Sequence, residues 1–486
     1  MAQKFEKKEI TKKSKNFSRW YTDVILKAEL ADYSPVKGCM VIRPYGFALW
    51  ENIKSALDGM IKSAGVENAY FPLFIPESFL KKEKEHVKGF SPELAVVTIG
   101  GGERLKEKLI IRPTSETVMY SMFAKWIESW RDLPLLINQW CNIVRWEKRT
   151  YLFLRTTEFL WQEGHTCHAT HAEAKKEVGR ALKMYAKLYQ EYLAIPGFMG
   201  KKSEAEKFPG AADTFAYEML MPDGKVLQGC TSHDLGQNFA KPFKIQFQNK
   251  KGKLENVWQT CWGLSTRSIG ALIMAHGDDN GLVLPPKVTP IKAVIVPVLG
   301  KNNRDVLAFA KKVQNEIEKK DSEFSGRVEI WDSPQQTFGW KANEAEIRGI
   351  PLAIPVGIKE VKDKKVTISR RDGNGKKNES SSLNNVGETV ERMLGKMQKN
   401  LLREGEKFLR ENTHEVKNYQ EFKKVMREKR GVIRTFWCED PKCEAKIKEE
   451  TKATSRLLPL NAKEEKGKCI YCGKKAIHRW LFAQAY

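Results

Sequence analysis

Three arginines in two distant segments are the side chains of this chain best suited to gripping a polyphosphate: Arg145-Trp-Glu147 with Arg155 downstream, and Ser265-Thr-Arg267 much later. A planar guanidinium matches phosphate oxygens with a fork of donors, while a neighbouring carboxylate can anchor a base or a metal-bound water. Residues two apart in a strand share a face, so Arg145 and Glu147 are predicted to project together, with a hairpin return bringing Arg155 beside them. Taken alone, that pattern reads first as a surface salt-bridge ladder. Trp262 to Gly270 reads as a strand ending in Arg267 at the start of the apolar helix Ile269 to Met274, capped by Ser265 or Thr266. A cation beside helix N-terminal amides favours an anion such as a triphosphate, the alternative being an exposed arginine without a ligand. Two further polar segments stand out, Arg112-Pro-Thr114-Ser-Glu116 before a helix and Gln228-Gly-Cys-Thr231-Ser-His233-Asp mid-chain.

A second kind of chemistry lies near the end. Of nine cysteines, four cluster as Cys438-x4-Cys443 and Cys469-x2-Cys472, separated by 25 residues. Two short chelating loops joined by a longer excursion suit a tetrahedral zinc, and four protein ligands leave no place for a reactive water, so the metal is expected to be structural. Cys39, Cys141, Cys167, Cys230 and Cys261 are scattered.

The elements that must position these groups fall into three blocks. From about Phe17 to Asp279, strands such as Leu135 to Val144 and Val257 to Leu264 intersperse with helices such as Glu116 to Trp130 and Ala172 to Leu193. Leu282 to Pro290 carries three prolines in nine residues and reads as an extended linker. Beyond it, a strand at Ala293 to Leu299, a helix near Arg304 to Lys319, strands near Arg327 to Trp331, Leu352 to Val356 and Lys365 to Arg370, and a helix from Thr389 predict a small α/β domain. A charged helical stretch, Glu391 to Lys429, leads into the cysteines. The domains are therefore set at 1–284, 285–400 and 401–486.

Composition narrows the functional classes. The chain has 486 residues, is 41% hydrophobic and 30% charged, and has no apolar run long enough for a membrane helix. The N-terminal segment alternates lysines with Glu6 and Glu9 around no apolar core, so a cytoplasmic protein is expected. Formal net charge is +24, from 84 Lys+Arg against 60 Asp+Glu. Residues 281–486 alone hold 43 basic and 28 acidic side chains, so +15 of it lies there. Such a surplus fits a polyanionic partner, although plain solubility is the alternative.

Taken in order, these segments resemble class II aminoacyl-tRNA synthetases. The Arg-x-Glu hairpin with its Arg155-Thr-Thr-Glu-Phe159 return looks like motif 2, Gly263-Leu-Ser-Thr-Arg267 like motif 3, and Gly46-Phe47 through Tyr70-Phe-Pro-Leu73 like motif 1, which in that class forms the dimer interface. The Thr114-Ser-Glu116 loop and Gln228 to His233 most resemble the prolyl-tRNA synthetase family in its archaeal and eukaryotic-like architecture, and Gly339-Trp-Lys341 through Pro351 extends the match into the α/β domain. The resemblance implies an α+β catalytic domain built on an antiparallel sheet, an α/β anticodon-binding domain and a small α+β zinc-binding domain. It implies a homodimer that joins L-proline to tRNA(Pro), with ATP and Mg2+ consumed through a prolyl-adenylate.

The same resemblance assigns residues. Thr114, Glu116, Arg145 and His233 would hold proline. Arg145, Glu147, Arg155, Thr156, Phe159, Gln228, Thr231, Ser265 and Arg267 would hold ATP, with adenine between Phe159 and Arg267, and Arg145 and Arg267 would be the catalytic pair. Glu346, Arg348 and Arg371 are candidates for reading anticodon bases, where a solvated charged face is the alternative. Cys438, Cys443, Cys469 and Cys472 would hold the zinc, and the terminal Tyr486 would tuck back towards the active site. Two features depart from, or divide, the family. The loop Lys148 to Phe153 lacks the expected prolines and is about one residue short, and the roughly hundred residues between Phe159 and Gly263 leave no room for the bacterial editing insertion. Rival readings are a threonine, serine, glycine or histidine enzyme of the same subclass, or a catalytically dead tRNA-binding or zinc-ribbon regulatory protein.

Overall fold

One sheet spans the first and last domains, and its strands carry Phe159, Gln228, Thr231, His233 and Ser265. In the computed structural model, which describes residues 9–80, 94–300, 303–320, 322–373 and 378–486, eleven strands follow one another across it. From one edge these are Thr413–Glu415, Val432–Trp437, His478–Gln484, Ala453–Pro459, Phe198–Lys201, Asp213–Leu220, Val226–Gly236, Trp258–Ser265, Glu158–His168, Leu135–Val144 and Glu67–Asn68. The middle strands pair antiparallel. The first four belong to the C-terminal domain, which continues the catalytic sheet through Leu458 opposite Lys201 and Pro459 opposite Gly200.

The two faces of the middle strands differ. The helix His171–Lys187, closed at its start by a capping box of Thr170 and Glu173, lies on one face. Tyr185 donates to Gln162 Oε1 at 2.5 Å and Ser232 to the carbonyl of Val178 at 3.0 Å across that contact. The opposite face is left concave and polar. The helix Glu116–Trp126 stops a turn before the predicted Trp130, because Ile127 turns extended and buries its side chain in a second apolar cluster with Phe71, Tyr120 and Phe123.

Several expectations are corrected. Arg145 and Glu147 lie just past the end of the strand Leu135–Val144, not within it; backbone pairing goes on irregularly, Arg145 N donating to Thr157 O at 2.8 Å. The helix carrying Arg267 starts at that residue, and its Thr266 cap makes no side-chain cap bond; Ser265 Oγ instead accepts from Arg267 N at 3.2 Å. The proline-containing segment after Gly281 is extended but no free linker. Leu282, Leu284 and Val288 are buried in the main core, and Leu282 N donates to Ile347 O at 2.9 Å. The stretch Glu391 to Lys429 is broken: the helix Val386–Glu411 ends, a short strand Thr413–Glu415 joins the large sheet, and a second helix runs Tyr419–Glu428. Position 400, set as a domain boundary, falls inside the first of these helices.

The α/β domain matches its pattern closely. Its five strands order as Val328–Ile330, Ala293–Pro297, Leu352–Val356, Lys365–Arg370 and Asn378–Ser382, the first three parallel and the rest antiparallel. All five residues of Ala293–Pro297 are buried, as expected of a strand covered on both faces. Among the described residues, no helix is long and apolar enough to cross a membrane.

Candidate active site

The concave face of the sheet holds a cavity of about 340 Å³ lined by all twelve residues assigned to proline or ATP. The three distant arginines therefore meet. Strand periodicity explains how. Phe159, Trp161, Glu163 and His165 alternate along Glu158–His168 and all face the cavity, while Gln162 between them faces the covering helix. On the neighbouring strand, Cys261, Gly263 and Ser265 do the same. At Gly263, an added Cβ would meet the carbonyl of Gln162 at 3.1 Å and, among the described residues apart from its chain neighbours, no side chain.

Register sets the direction of the site. Ser265 pairs with Trp161 and Cys261 with His165, so the Ser265–Arg267 end and the Cys261–Glu116 end are four residues, roughly 13 Å, apart. At the first end, Arg145 donates from Nε to the carbonyl of Pro113 at 3.0 Å, with its guanidinium 5.7 Å from the Phe159 ring and 5.6 Å from the Trp161 ring. Arg155 reaches Glu147 at 3.0 Å, and Arg267 Nε donates to the carbonyl of Leu154 at 3.2 Å. Burial lowers the Arg267 pKa, the mark of a guanidinium held away from water.

The other end is a buried polar network. Thr114 hydrogen-bonds Glu116, the first residue of its helix, where the N-terminal amides favour a carboxylate. Glu163 is 3% exposed yet satisfied. It accepts from Ser115 Oγ at 2.5 Å and Gln139 Nε2 at 2.8 Å, and meets His165 Nε2 at 3.0 Å, whose other nitrogen lies 3.1 Å from the Tyr120 hydroxyl. His233 Nδ1 is 2.9 Å from Thr214 Oγ1, and its ring packs 4.6 Å from Phe208. Burial, then the charges of Glu116 and Glu163, push the Cys261 thiol well above its ordinary pKa, so it is no nucleophile. Arg112, fully buried, braces the wall by donating to the carbonyl of Phe71 at 2.7 Å and to Asn142 Oδ1 at 3.0 Å.

Away from the cavity, the four C-terminal cysteines converge with every Sγ within 4.8 Å of the others. Cys438 Sγ lies 3.6 Å from Cys443 Sγ and 3.7 Å from Cys472 Sγ. A zinc with Zn–S bonds of ~2.3 Å needs tetrahedral sulfur spacings of about 3.8 Å. The anticodon-side arginines have partners within the chain. Arg371 closes both terminal nitrogens on Asp278 at 2.6 and 2.7 Å, and Arg348 binds Glu344 at 2.7 Å and Glu29 at 2.9 Å. Glu346 lies on the same helix as Glu344, its carbonyl accepting from Arg371 Nε at 2.9 Å. Tyr486 does not line the cavity; its backbone N donates to the carbonyl of Val226 at 3.3 Å, two residues before the cavity-lining Gln228.

Comparison with known proteins agrees across the chain. Residues 97–276 match the tRNA synthetase class II core domain (G, H, P, S and T), 292–393 the anticodon binding domain and 419–486 the prolyl-tRNA synthetase C-terminal domain. The chain is 51% identical over 484 residues to the proline–tRNA ligase of Chlorobium phaeovibrioides, covering 98% of this chain and 99% of that one. The chain belongs to the prolyl-tRNA synthetase family. It is also 49% identical over 477 residues to proline–tRNA ligase 2 of Bacillus cereus, with 98% of each chain covered. The crystal structure of prolyl-tRNA synthetase from Cryptosporidium parvum, complexed with halofuginone and AMPPNP, superimposes with a TM-score of 0.93 at 41% identity, over 98% of this chain and 99% of that one.

Motif reading of this synthetase found one side of its cavity and missed the other. Trp161, Glu163 and His165 line it but were not singled out, although their spacing from Phe159 on one strand carries the signal. Glu206, Lys207, Phe208 and Pro209 line it from a loop whose sequence has no such periodicity.

Proposed function

We propose that this cavity is where the chain performs its family's reaction, activating L-proline with ATP and passing it to the 3′ end of tRNA(Pro). The supporting observation is the convergence of Arg145, Arg155 and Arg267 on the same space as Thr114, Glu116 and His233. Proline sits at the Glu116 end, its secondary ammonium accepted by the Glu116 carboxylate and Thr114 hydroxyl through charge-assisted bonds. His233, held by Thr214, closes that end. ATP lies at the Ser265 end, adenine between Phe159 and Arg267, with Glu147, Thr156, Gln228, Thr231 and Ser265 as polar contacts and Arg155 on its phosphates.

No protein nucleophile is required. The proline carboxylate attacks the α-phosphorus and pyrophosphate leaves. The terminal ribose hydroxyl of the tRNA then attacks the adenylate and AMP leaves. The enzyme's share is alignment and stabilisation of charge growing on phosphate oxygens, which Arg145 and Arg267 supply, with Mg2+ arriving as the counter-ion of ATP. Amino-acid-dependent pyrophosphate exchange tests the reading: proline should drive exchange, and threonine, serine, glycine and histidine should not. Exchange driven by one of those instead would overturn it.

Cys438, Cys443, Cys469 and Cys472 would hold a structural Zn2+, supported by sulfur spacings close to the tetrahedral value. Homodimerisation through the segment resembling motif 1 is supported by apolar side chains exposed there, Phe47 at 41%, Tyr70 at 72% and Phe74 at 48%. Glu346, Arg348 and Arg371 stay candidates for the anticodon contact by resemblance; to reach a base, each arginine must first give up the partner it holds here. The cytoplasm is the location this reading fits.

A further inference from the structure

The loop that roofs the amino-acid end of the cavity is gripped by the C-terminal domain. It leaves the sheet at Lys202, directly after the strand Phe198–Lys201 that pairs with the C-terminal strand Ala453–Pro459. Beneath its first residues lies a buried cluster in which Glu218 receives Lys202 Nζ at 2.5 Å and Arg456 NH2 at 2.8 Å, their side chains 2%, 1% and 7% exposed respectively. Two cations against one carboxylate leave a positive excess with little water to screen it. Two further carboxylates act on Arg456 to offset it, Glu444 of the C-terminal domain and, from the loop, Glu206, whose Oε2 lies 3.7 Å from Arg456 NH1. A second hold comes from Glu444, also of the C-terminal domain, whose Oε1 accepts from Ser203 Oγ at 3.2 Å and Ser455 Oγ at 2.5 Å.

Three residues beyond Ser203 the loop enters the cavity. Glu206, Lys207, Phe208 and Pro209 line it, and Phe208 lies against His233. Phe208 N donates to Thr214 Oγ1 at 2.9 Å, the hydroxyl that also meets His233 Nδ1. Loop, histidine and C-terminal domain are thus linked by successive direct contacts. The geometry points to Arg456 as a positioning residue for proline binding, through which the C-terminal domain holds the loop Lys202 to Pro209 over the amino-acid pocket.

This inference rests on the cavity being the proline site, so wild-type exchange kinetics come first; a wild type that proline does not saturate removes both. Arg456→Met is the informative variant, because it leaves Lys202 and Glu218 as a balanced buried pair, whereas Glu218→Gln would take away the carboxylate that Lys202 and Arg456 share. KM for proline should rise tenfold or more, while KM for ATP stays within twofold. Arg456→Lys should return the proline KM to within about threefold of wild type. Trypsin should cut after Lys207 faster in the Met variant than in wild type. Glu206 acts through Arg456, so Glu206→Gln should change little when added to Arg456→Met, a coupling that a double-mutant cycle measures. A proline KM within twofold of wild type, a parallel rise in KM for ATP, or independent effects of the two substitutions would each overturn the proposal. If Arg456→Met does not fold, Glu206→Gln alone should raise the proline KM several-fold and speed cleavage after Lys207; unchanged cleavage then overturns it.

Discussion

The arginine-lined cavity and the cysteine cluster both gather polar and ionisable side chains from well-separated positions, but they are built in opposite ways. Two of the thiols fall within six residues and two within four, Cys443 in the first turn of the helix Pro441–Thr451 and the other three outside helices and strands, so half of the geometry is local. The cavity has no such local unit. Its arginines come from the end of one strand, an irregular return and the first turn of a helix more than a hundred residues later, and sheet register alone brings them together. What distinguishes the two is where error is tolerated. A metal can draw loosely held thiols into place, whereas a cavity that aligns two substrates has to be preorganised by the sheet beneath it.

That contrast can be broken most sharply at Arg145. Arg145→Ala should remove about 3 kcal/mol or more of transition-state stabilisation while the sheet stays folded, seen as a hundredfold or larger loss in pyrophosphate exchange. A loss within tenfold would return Arg145 to the role of surface cation. Next comes the cysteine cluster, where elemental analysis should find one metal per chain. Replacing Cys438 and Cys472 together by serine should abolish it and lower stability by on the order of 2 kcal/mol, read as a drop of several degrees in the melting transition. An unchanged metal content would dissolve the comparison.

Acid should weaken the sheet side in a way that a single substitution can isolate. His168, 4% exposed at the far end of the strand from Phe159, is lowered by burial to a pKa of about 4. The unfolded chain therefore binds more protons between pH 4 and 6.5, and stability falls as pH falls through that window, by about 2 kcal/mol at pH 5. His168→Asn should flatten that part of the melting temperature profile, and an unaltered slope would show that other groups set it. The smallest effect is expected at the join between the first two domains. Asp278→Asn removes the partner of Arg371, but Asp278 is 35% exposed, so solvent limits the cost to about 1 kcal/mol. If the same variant also lowers tRNA affinity without changing pyrophosphate exchange, the join serves the anticodon side.

Much of the scaffold was legible beforehand, for identifiable reasons. Leu135 to Val144, Leu352 to Val356 and Lys365 to Arg370 are the strands observed, because each is an apolar or alternating run closed by turn residues. Where reading failed, tertiary burial overrode local signals. The prolines after Gly281 signal an exposed linker, yet Leu282, Leu284 and Val288 between them find a core to enter. Arg371, still a candidate base-reader, is paired with Asp278, ninety-three residues earlier, a partner that no local pattern signals.

Residue types and their spacing by themselves determined part of the chemistry on offer, guanidiniums suited to phosphate and four thiols suited to a metal, while the Thr–Glu pair took its amine-binding role from the family resemblance. They did so because side-chain charge, hydrogen-bonding capacity and strand periodicity are properties of short segments. Only the folded sheet decided which of those groups share a solvent-poor cavity, that Trp161, Glu163 and His165 join them, and that Arg456 from the last domain reaches under a loop that lines it. Such contacts depend on pairing between strands hundreds of residues apart, and no local pattern encodes which strand will lie beside which.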